Sequence, residues 1–182
     1  MGIRLSQRTS FPEEQGTTLT VSAERPVDVD LKLRIPYWAK GGSVKVNGHT
    51  VPVFADPGSY LVLRGPWKNG DRIELSLPMQ LHAAPMPDRE SLQAVMYGPL
   101  VLAARFEDEP KAKWYRHYQA QTKQEPEPAL QFKGKLDNPS SWIETAVGKL
   151  AFRAVSQERP VSFVPLSSIL HERYFVYHEV LS

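Results

Sequence analysis

The 182-residue sequence contains no cysteine. This absence excludes a disulfide framework, a thiolate zinc site and a cysteine nucleophile within these residues. Long apolar runs are also missing, since a stretch such as residues 100–104 is far too short to cross a bilayer. The first six residues carry no apolar signal region. We therefore expect no membrane partner, and nothing in the sequence indicates a compartment.

A strong excess of charge of one sign is absent as well. The chain has 22 Lys+Arg against 20 Asp+Glu, a net charge of +2, and the signs alternate along it. Nucleic-acid-binding proteins usually concentrate positive charge, so nucleic acid is not an expected partner. Hydrophobic residues make up 41% and charged residues 23%. These shares are typical of a globular protein and argue against disorder of the whole chain.

Short alternating segments dominate the first hundred residues. In residues 27–35, apolar side chains occupy the odd positions and polar ones the even positions. Because successive side chains of a strand point to opposite faces, this segment has one buried face and one solvated face. Such alternation is typical of an antiparallel sheet. Residues 17–22, 59–64 and 72–77 are further predicted strands.

Turn residues separate these strands. Asn47-Gly48 between two extended segments predicts a two-residue hairpin, because a type I′ turn needs positive φ at both central positions. Strands every 8–12 residues with turns between them indicate a sandwich or a jelly roll. The predicted fold class is all-β, an antiparallel, jelly-roll-like β-sandwich arranged as two consecutive β domains.

The composition changes after Arg105. Residues 119–128 contain no large apolar side chain, so they cannot bury enough surface to offset the entropy of ordering them. The predicted divisions are a first β-sandwich domain (1–105), a linker or long loop (106–130) and a second, smaller β domain (131–182).

Motifs for cofactors and metals are not found. Neither a Gly-x-Gly-x-x-Gly pattern, a phosphate loop nor a Gly-x-Ser-x-Gly elbow occurs, so no cofactor is predicted. The segment beginning His171-Glu172 lacks the second histidine of a zinc-protease motif, because Phe175 stands at that position. His171 and His178 would point to opposite faces of one strand. We therefore predict no metal site.

Two groups of residues leave a hydrolytic alternative open. Ser167-Ser168 near His171 suggests a weak catalytic triad, although a polar turn with surface hydroxyls explains these residues more simply. Glu172 could be one of the two carboxyl groups of a glycosidase. An ion pair with Arg173 or another base is the simpler interpretation, and we favour it.

Aromatic residues supply the candidate binding site. Trp114, Tyr115 and Tyr118 lie in polar surroundings, where exposed rings can stack on sugar faces. We predict them as carbohydrate-binding residues, with packing against a neighbouring domain as the alternative. Trp38 and Trp67 sit beside strand ends with apolar neighbours, so we expect them to pack in a core.

Several motifs, in order, resemble the region that follows the catalytic barrel in glycoside hydrolase family 127, the β-L-arabinofuranosidase family. They are RIPYWA at residues 34–39, VNG at 46–48, GSYL at 58–61, Arg64, Trp67, Gly70-Asp71, LPM at 77–79, YGPLV at 97–101 and ERYFVY at 172–177. The sequence departs from the family at His178, where an aromatic residue is common, and over residues 165–169.

The resemblance implies a C-terminal, non-catalytic accessory region that packs against a catalytic α/α barrel. In that family the zinc-bound cysteine nucleophile and the glutamates belong to the barrel, so no catalytic residue is carried over to this chain. The barrel is the expected partner. The alternatives are an independent carbohydrate-binding module for plant-type glycans and a self-sufficient hydrolase that uses Glu172.

Overall fold

The computed structural model describes residues 2–105, 129–158, 161–170 and 172–181. The chain divides into two compact units, Met1–Gln80 (unit 1) and Leu81–Ser182 (unit 2). Within the described ranges both units consist of strands and short turns without an α-helix, so the predicted all-β fold is confirmed. None of the described residues form a helix long and apolar enough to span a membrane.

Unit 1 is a sandwich of a five-stranded and a two-stranded antiparallel sheet. Its strands are β1 (Ile3–Arg8), β2 (Gly16–Ala23), β3 (Leu31–Arg34), β4 (Ser43–Val46), β5 (His49–Thr50), β6 (Tyr60–Leu63) and β7 (Arg72–Ser76). The larger sheet has the order β1-β2-β7-β4-β5, and β3 pairs with β6 in the smaller one. Val21, Val44 and Ile73 from the first sheet meet Leu61 and Leu63 from the second in one apolar core.

The alternation in residues 27–35 determines which face of β3 enters that core. Odd-numbered side chains of this segment are buried or half-buried, and even-numbered ones are exposed. Only Leu31–Arg34 forms a regular strand, while Val27 forms an isolated bridge with Trp67. The buried Trp67 indole donates a hydrogen bond to the carbonyl of Val29 at 3.0 Å. The expectation that Trp67 packs in a core is thus confirmed.

The predicted two-residue hairpin joins β4 to β5. Asn47 and Gly48 have φ values of 51° and 81°, as the turn requires. The Asn47 amide also donates to Asp71 at 2.9 Å and accepts from the N–H of Arg72 at 2.8 Å. The N–H of Lys68 and this amide hold the pKa of Asp71 below its ordinary value. One asparagine therefore joins two turns that are distant in sequence.

Unit 2 is built on a nine-stranded sheet. Its strands are β8 (Leu81–Met86), β9 (Arg89–Tyr97), β10 (Leu100–Arg105), β11 (Leu130–Lys133), β12 (Ile143–Thr145), β13 (Phe152–Ala154), β14 (Ser162–Pro165), β15 (Tyr174–Phe175) and β16 (Tyr177–Leu181), with 3-10 turns at Pro139–Ser141 and Leu166–Ser168. The order is β11-β16-β9-β10-β14-β13-β12, with β8 paired to β9 and β15 to β10. All pairs are antiparallel except β11 with β16.

The division between the units differs from the predicted boundary at residue 105. Strands β8 to β10 lie within the predicted first domain, yet they share a sheet with strands that follow residue 130. Local alternation shows that these segments are strands but not which strands they pair with, and this explains the difference. Within the predicted linker, residues 106–128 lie outside the described ranges, and Leu130 already belongs to β11.

The two ends of the unit 2 sheet approach each other over an aromatic core. Phe132 of β11 stacks on Trp142, which directly precedes β12, with ring centroids 4.8 Å apart and planes inclined by 22°. Phe163 of β14 meets the same indole edge-on at 6.0 Å. Gly134 lies so close that a Cβ there would stand 2.2 Å from Cδ1 of Trp142. The sheet therefore curls around these rings, and Gly134 leaves room for the indole.

The close approach at Gly134 predicts that Gly134→Ala destabilises the protein. The added methyl group would overlap the buried indole, and overpacking of this kind costs about 1–3 kcal/mol. Urea unfolding should show this loss of free energy. Gly2→Ala is the control, because nothing lies within 4 Å of that position. Equal stability of the two variants would contradict the packing described for Trp142.

Candidate functional site

The predicted carbohydrate-binding residues Trp114, Tyr115 and Tyr118 lie outside the residues that the structure describes. Their proposed role in sugar stacking therefore stays a prediction. His171, the histidine of the candidate triad, is also outside the described ranges.

Glu172 lies in the turn that leads into β15. Its Oε2 accepts a hydrogen bond from the N–H of Leu170 at 3.1 Å, and its side chain is half-buried. Next to it, the Arg173 guanidinium lies over the Phe175 ring, 5.6 Å from the centroid. The Glu172 carboxylate thus contributes to the backbone conformation of this turn.

Ser168 occupies the 3-10 turn between β14 and β15. Its hydroxyl donates to the carbonyl of Pro165 at 2.7 Å. This hydrogen bond stays within the turn and matches the interpretation of Ser168 as a turn residue.

His178 is a core residue of unit 2. Its side chain is 0% exposed, and its ring meets Phe132 and Phe163 edge-on, with centroids 5.4 and 5.2 Å away. Neither ring nitrogen has a hydrogen-bond partner among the described residues. Burial lowers the pKa of His178 from 6.5 to about 4, so the imidazole is neutral at pH 7.

The described ranges contain no group of three or more His, Cys, Asp or Glu side chains that could hold a metal ion.

The segment at residues 174–180, rich in aromatic and β-branched side chains, forms two separate strands in the structure. Tyr174–Phe175 pairs with β10, whereas Tyr177–Leu181 lies between β9 and β11. The break brings His178 and Glu179 deep into the sheet, where both are buried. Sequence alternation alone did not predict the burial of Glu179.

Glu179 belongs to a polar cluster that sequence reasoning missed. The carboxylate is 8% exposed, accepts a hydrogen bond from the Ser91 hydroxyl and forms an ion pair with Arg89. Ser91 and Arg89 lie on β9, and the register aligns Glu179 with Leu92. Because Ser91 and Glu179 are 88 positions apart, no local pattern could have revealed this contact. The cluster joins two neighbouring strands, and we assign it a structural role.

An open depression of about 450 Å³ lies at the end of β11. Lys133, Gly134, Lys135, Ser141 and Leu181 line it. The Ser141 hydroxyl accepts the N–H of Lys135 at 3.1 Å. None of these lining residues carries a carboxylate, so they do not supply the pair of acids that glycoside hydrolysis uses.

The outward side of the smaller sheet of unit 1 carries exposed basic and apolar side chains. We call Lys32, Arg34, Tyr60 and Val62 the outer β3–β6 face, since the register pairs Lys32 with Val62 and Arg34 with Tyr60. Tyr60 is 55% and Val62 43% exposed. The Arg34 guanidinium lies 5.1 Å from the Tyr60 ring centroid and donates to the carbonyl of Gly58 at 2.7 Å. This face is therefore ordered yet uncovered by unit 1.

Comparison with known proteins gives one family match. Residues 1–79 match the family model described as "Beta-L-arabinofuranosidase, GH127 middle domain". No curated protein matches the sequence.

Solved structures resemble the whole chain in fold. A glycoside hydrolase shares 18% identity with a TM-score of 0.66, over 99% of this chain and 32% of its own. A GH127 beta-L-arabinofuranosidase from Geobacillus stearothermophilus T6 shares 20% identity with a TM-score of 0.67, and the match covers 98% of this chain and 31% of that structure. A GH127 beta-arabinofuranosidase shares 19% identity with a TM-score of 0.64, and the match covers 98% of this chain and 32% of that structure.

These structures show the fold of both units. The chain spans about a third of the length of each solved structure it matches. The family match covers unit 1, up to residue 79. Unit 1 is therefore the part of the chain that is similar to the GH127 middle-domain family model.

Proposed function

We propose that this chain is a non-catalytic accessory β-sandwich region of an arabinofuranosidase-like glycoside hydrolase, and that it packs against and supports a catalytic α/α barrel. The observation that carries this proposal is the match of residues 1–79 to a middle-domain family model. The likeness of the whole chain to about a third of each longer glycoside hydrolase supports it further.

The chemistry of the described residues is consistent with a supporting role. Glu172 binds the backbone of its own turn, and Glu179 is held by Arg89 and Ser91. Neither carboxylate lines the depression beside β11. Hydrolysis of a glycoside needs two carboxyl groups about 5–10 Å apart across a cleft, and these contacts use the carboxylates for structure instead.

The outer β3–β6 face is the surface we assign to the catalytic domain. Its exposed Tyr60 and Val62 are the apolar part that an interdomain contact would bury, and Arg34 and Lys32 add positive charge around them. Interfaces between domains combine such apolar and polar groups. A catalytic-domain surface with carboxylates around an apolar centre would complement it.

Because the catalytic groups belong to the barrel in this proposal, the chain alone should not hydrolyse arabinofuranosides. A release assay with β-L-arabinofuranosides and α-L-arabinofuranosides should show no turnover above the rate without protein. Turnover by the purified chain that Glu172→Gln abolishes would overturn the proposal in favour of a self-sufficient hydrolase.

The assignment of the outer face predicts how a double substitution should behave. Tyr60→Ser with Val62→Ser should weaken association with a co-expressed catalytic domain of the parent protein by at least tenfold, as measured by calorimetry. It should change the stability of the chain alone by less than about 1 kcal/mol, since both side chains are exposed.

Leu61→Ala is the matched control, because its side chain lies on the buried side of the same strand. Removing it should cost about 2–5 kcal/mol of stability. If the double variant binds the catalytic domain as tightly as the unchanged chain, the assignment of this face is wrong.

An independent carbohydrate-binding module is the second candidate, favoured by the aromatic cluster at Trp114, Tyr115 and Tyr118. It predicts that plant-type oligosaccharides change the tryptophan fluorescence at millimolar concentration, and that Trp114→Ala removes the change. Trp38→Phe is the control, since that indole packs against the core of unit 1. A flat titration with the unchanged chain would count against this candidate.

A further inference from the structure

The two units differ in the kind of side chain that they bury. Among the described residues, every buried polar or charged side chain, namely Gln93, His178 and Glu179, belongs to unit 2. The buried side chains of unit 1 within those ranges are all apolar. A change of pH can therefore alter the charge of buried side chains in unit 2. The described core of unit 1 contains no ionisable side chain.

The surroundings of His178 do not favour a positive charge. Its cross-strand neighbours are Gln93 on β9 and Leu130 on β11, and its ring contacts are Phe132 and Phe163. None of these side chains is ionisable. An imidazolium here would be buried without a counter-charge, which is strongly unfavourable.

Charged groups on the adjoining strands lie elsewhere. Glu179 follows His178 on β16, and its carboxylate is bound by the Ser91 hydroxyl and the Arg89 guanidinium of β9. Glu90 of β9 and Lys133 of β11 are exposed. The β14 segment Ser162–Pro165 has no ionisable side chain. No described carboxylate therefore forms a hydrogen bond with the imidazole.

We propose that His178 makes unit 2 an acid-sensitive module, which opens when this imidazole is protonated while unit 1 keeps its fold. The opening starts at β16, because that strand connects β9 with the edge strand β11. Protonation forces the ring toward water, and the Phe132 side chain loses a packing partner at the same time.

The direction of the effect follows from proton linkage. The pKa of His178 is lowered by burial to about 4 in the folded unit and is about 6.5 in the unfolded chain. Between these values the unfolded chain binds more protons, so unit 2 loses stability as the pH falls from 6.5 to 4. The unfolding equilibrium constant of unit 2 should rise by a factor of roughly 80 between pH 6.5 and pH 4.

Hydrogen exchange measured by mass spectrometry on the full chain at pH 7, 6, 5 and 4 tests the proposal. Protection factors, corrected for the intrinsic pH dependence, should fall for peptides of β9, β11 and β16 and stay constant for peptides of β2 and β7. His178→Phe should remove most of the fall. His49→Gln is the control, since His49 is exposed in unit 1.

Two results would overturn the proposal. One is an equal loss of protection in both units; the other is a His178→Phe variant that keeps the full acid response while Glu179→Gln removes it. If His178→Phe does not fold, NMR titration of the His178 ring in the unchanged chain decides the matter. A ring that titrates near pH 6.5 in folded protein would contradict the proposal, and one that stays neutral until unit 2 opens would support it.

Discussion

Packing of one apolar sheet face against another carries the stability of this chain. Without cysteine there are no disulfides to join the strands. In unit 1 the leucines of β6 close over Val44 and Ile73, and in unit 2 the stacked Phe132 and Trp142 join the two ends of a curled sheet. In unit 1 burial alternates along strands such as β6 and β7, so a shift of one residue would expose a whole buried face to water. The register is thus the constraint on which the rest of the structure depends.

Much of unit 1 could be predicted from the sequence because its signals are local. The alternation of residues 27–35 gave the correct buried face, and Asn47-Gly48 gave the correct hairpin. The core position of Trp67 followed from its apolar neighbours. Each of these features is set by residues close together in the chain, so a period or a turn reveals it.

Unit 2 was harder to predict because its structure depends on distant pairs. The contact of Glu179 with Ser91 spans 88 positions, and the parallel pairing of β11 with β16 has no counterpart in local alternation. His178 stood out as a departure from the family pattern, but its burial depends on rings from β11 and β14. The proposed sugar-stacking residues lie outside the described ranges, so the sequence remains their sole support.

In the proposed accessory role, the catalytic groups belong to a separate domain and this chain only supports that domain. A crystal structure of the chain grown with a saturating arabinofuranoside tests most directly whether the chain itself lacks a catalytic site. The account predicts that no sugar is bound between two carboxylates of this chain. A saccharide held in an acid-lined crevice built entirely from these strands would contradict it.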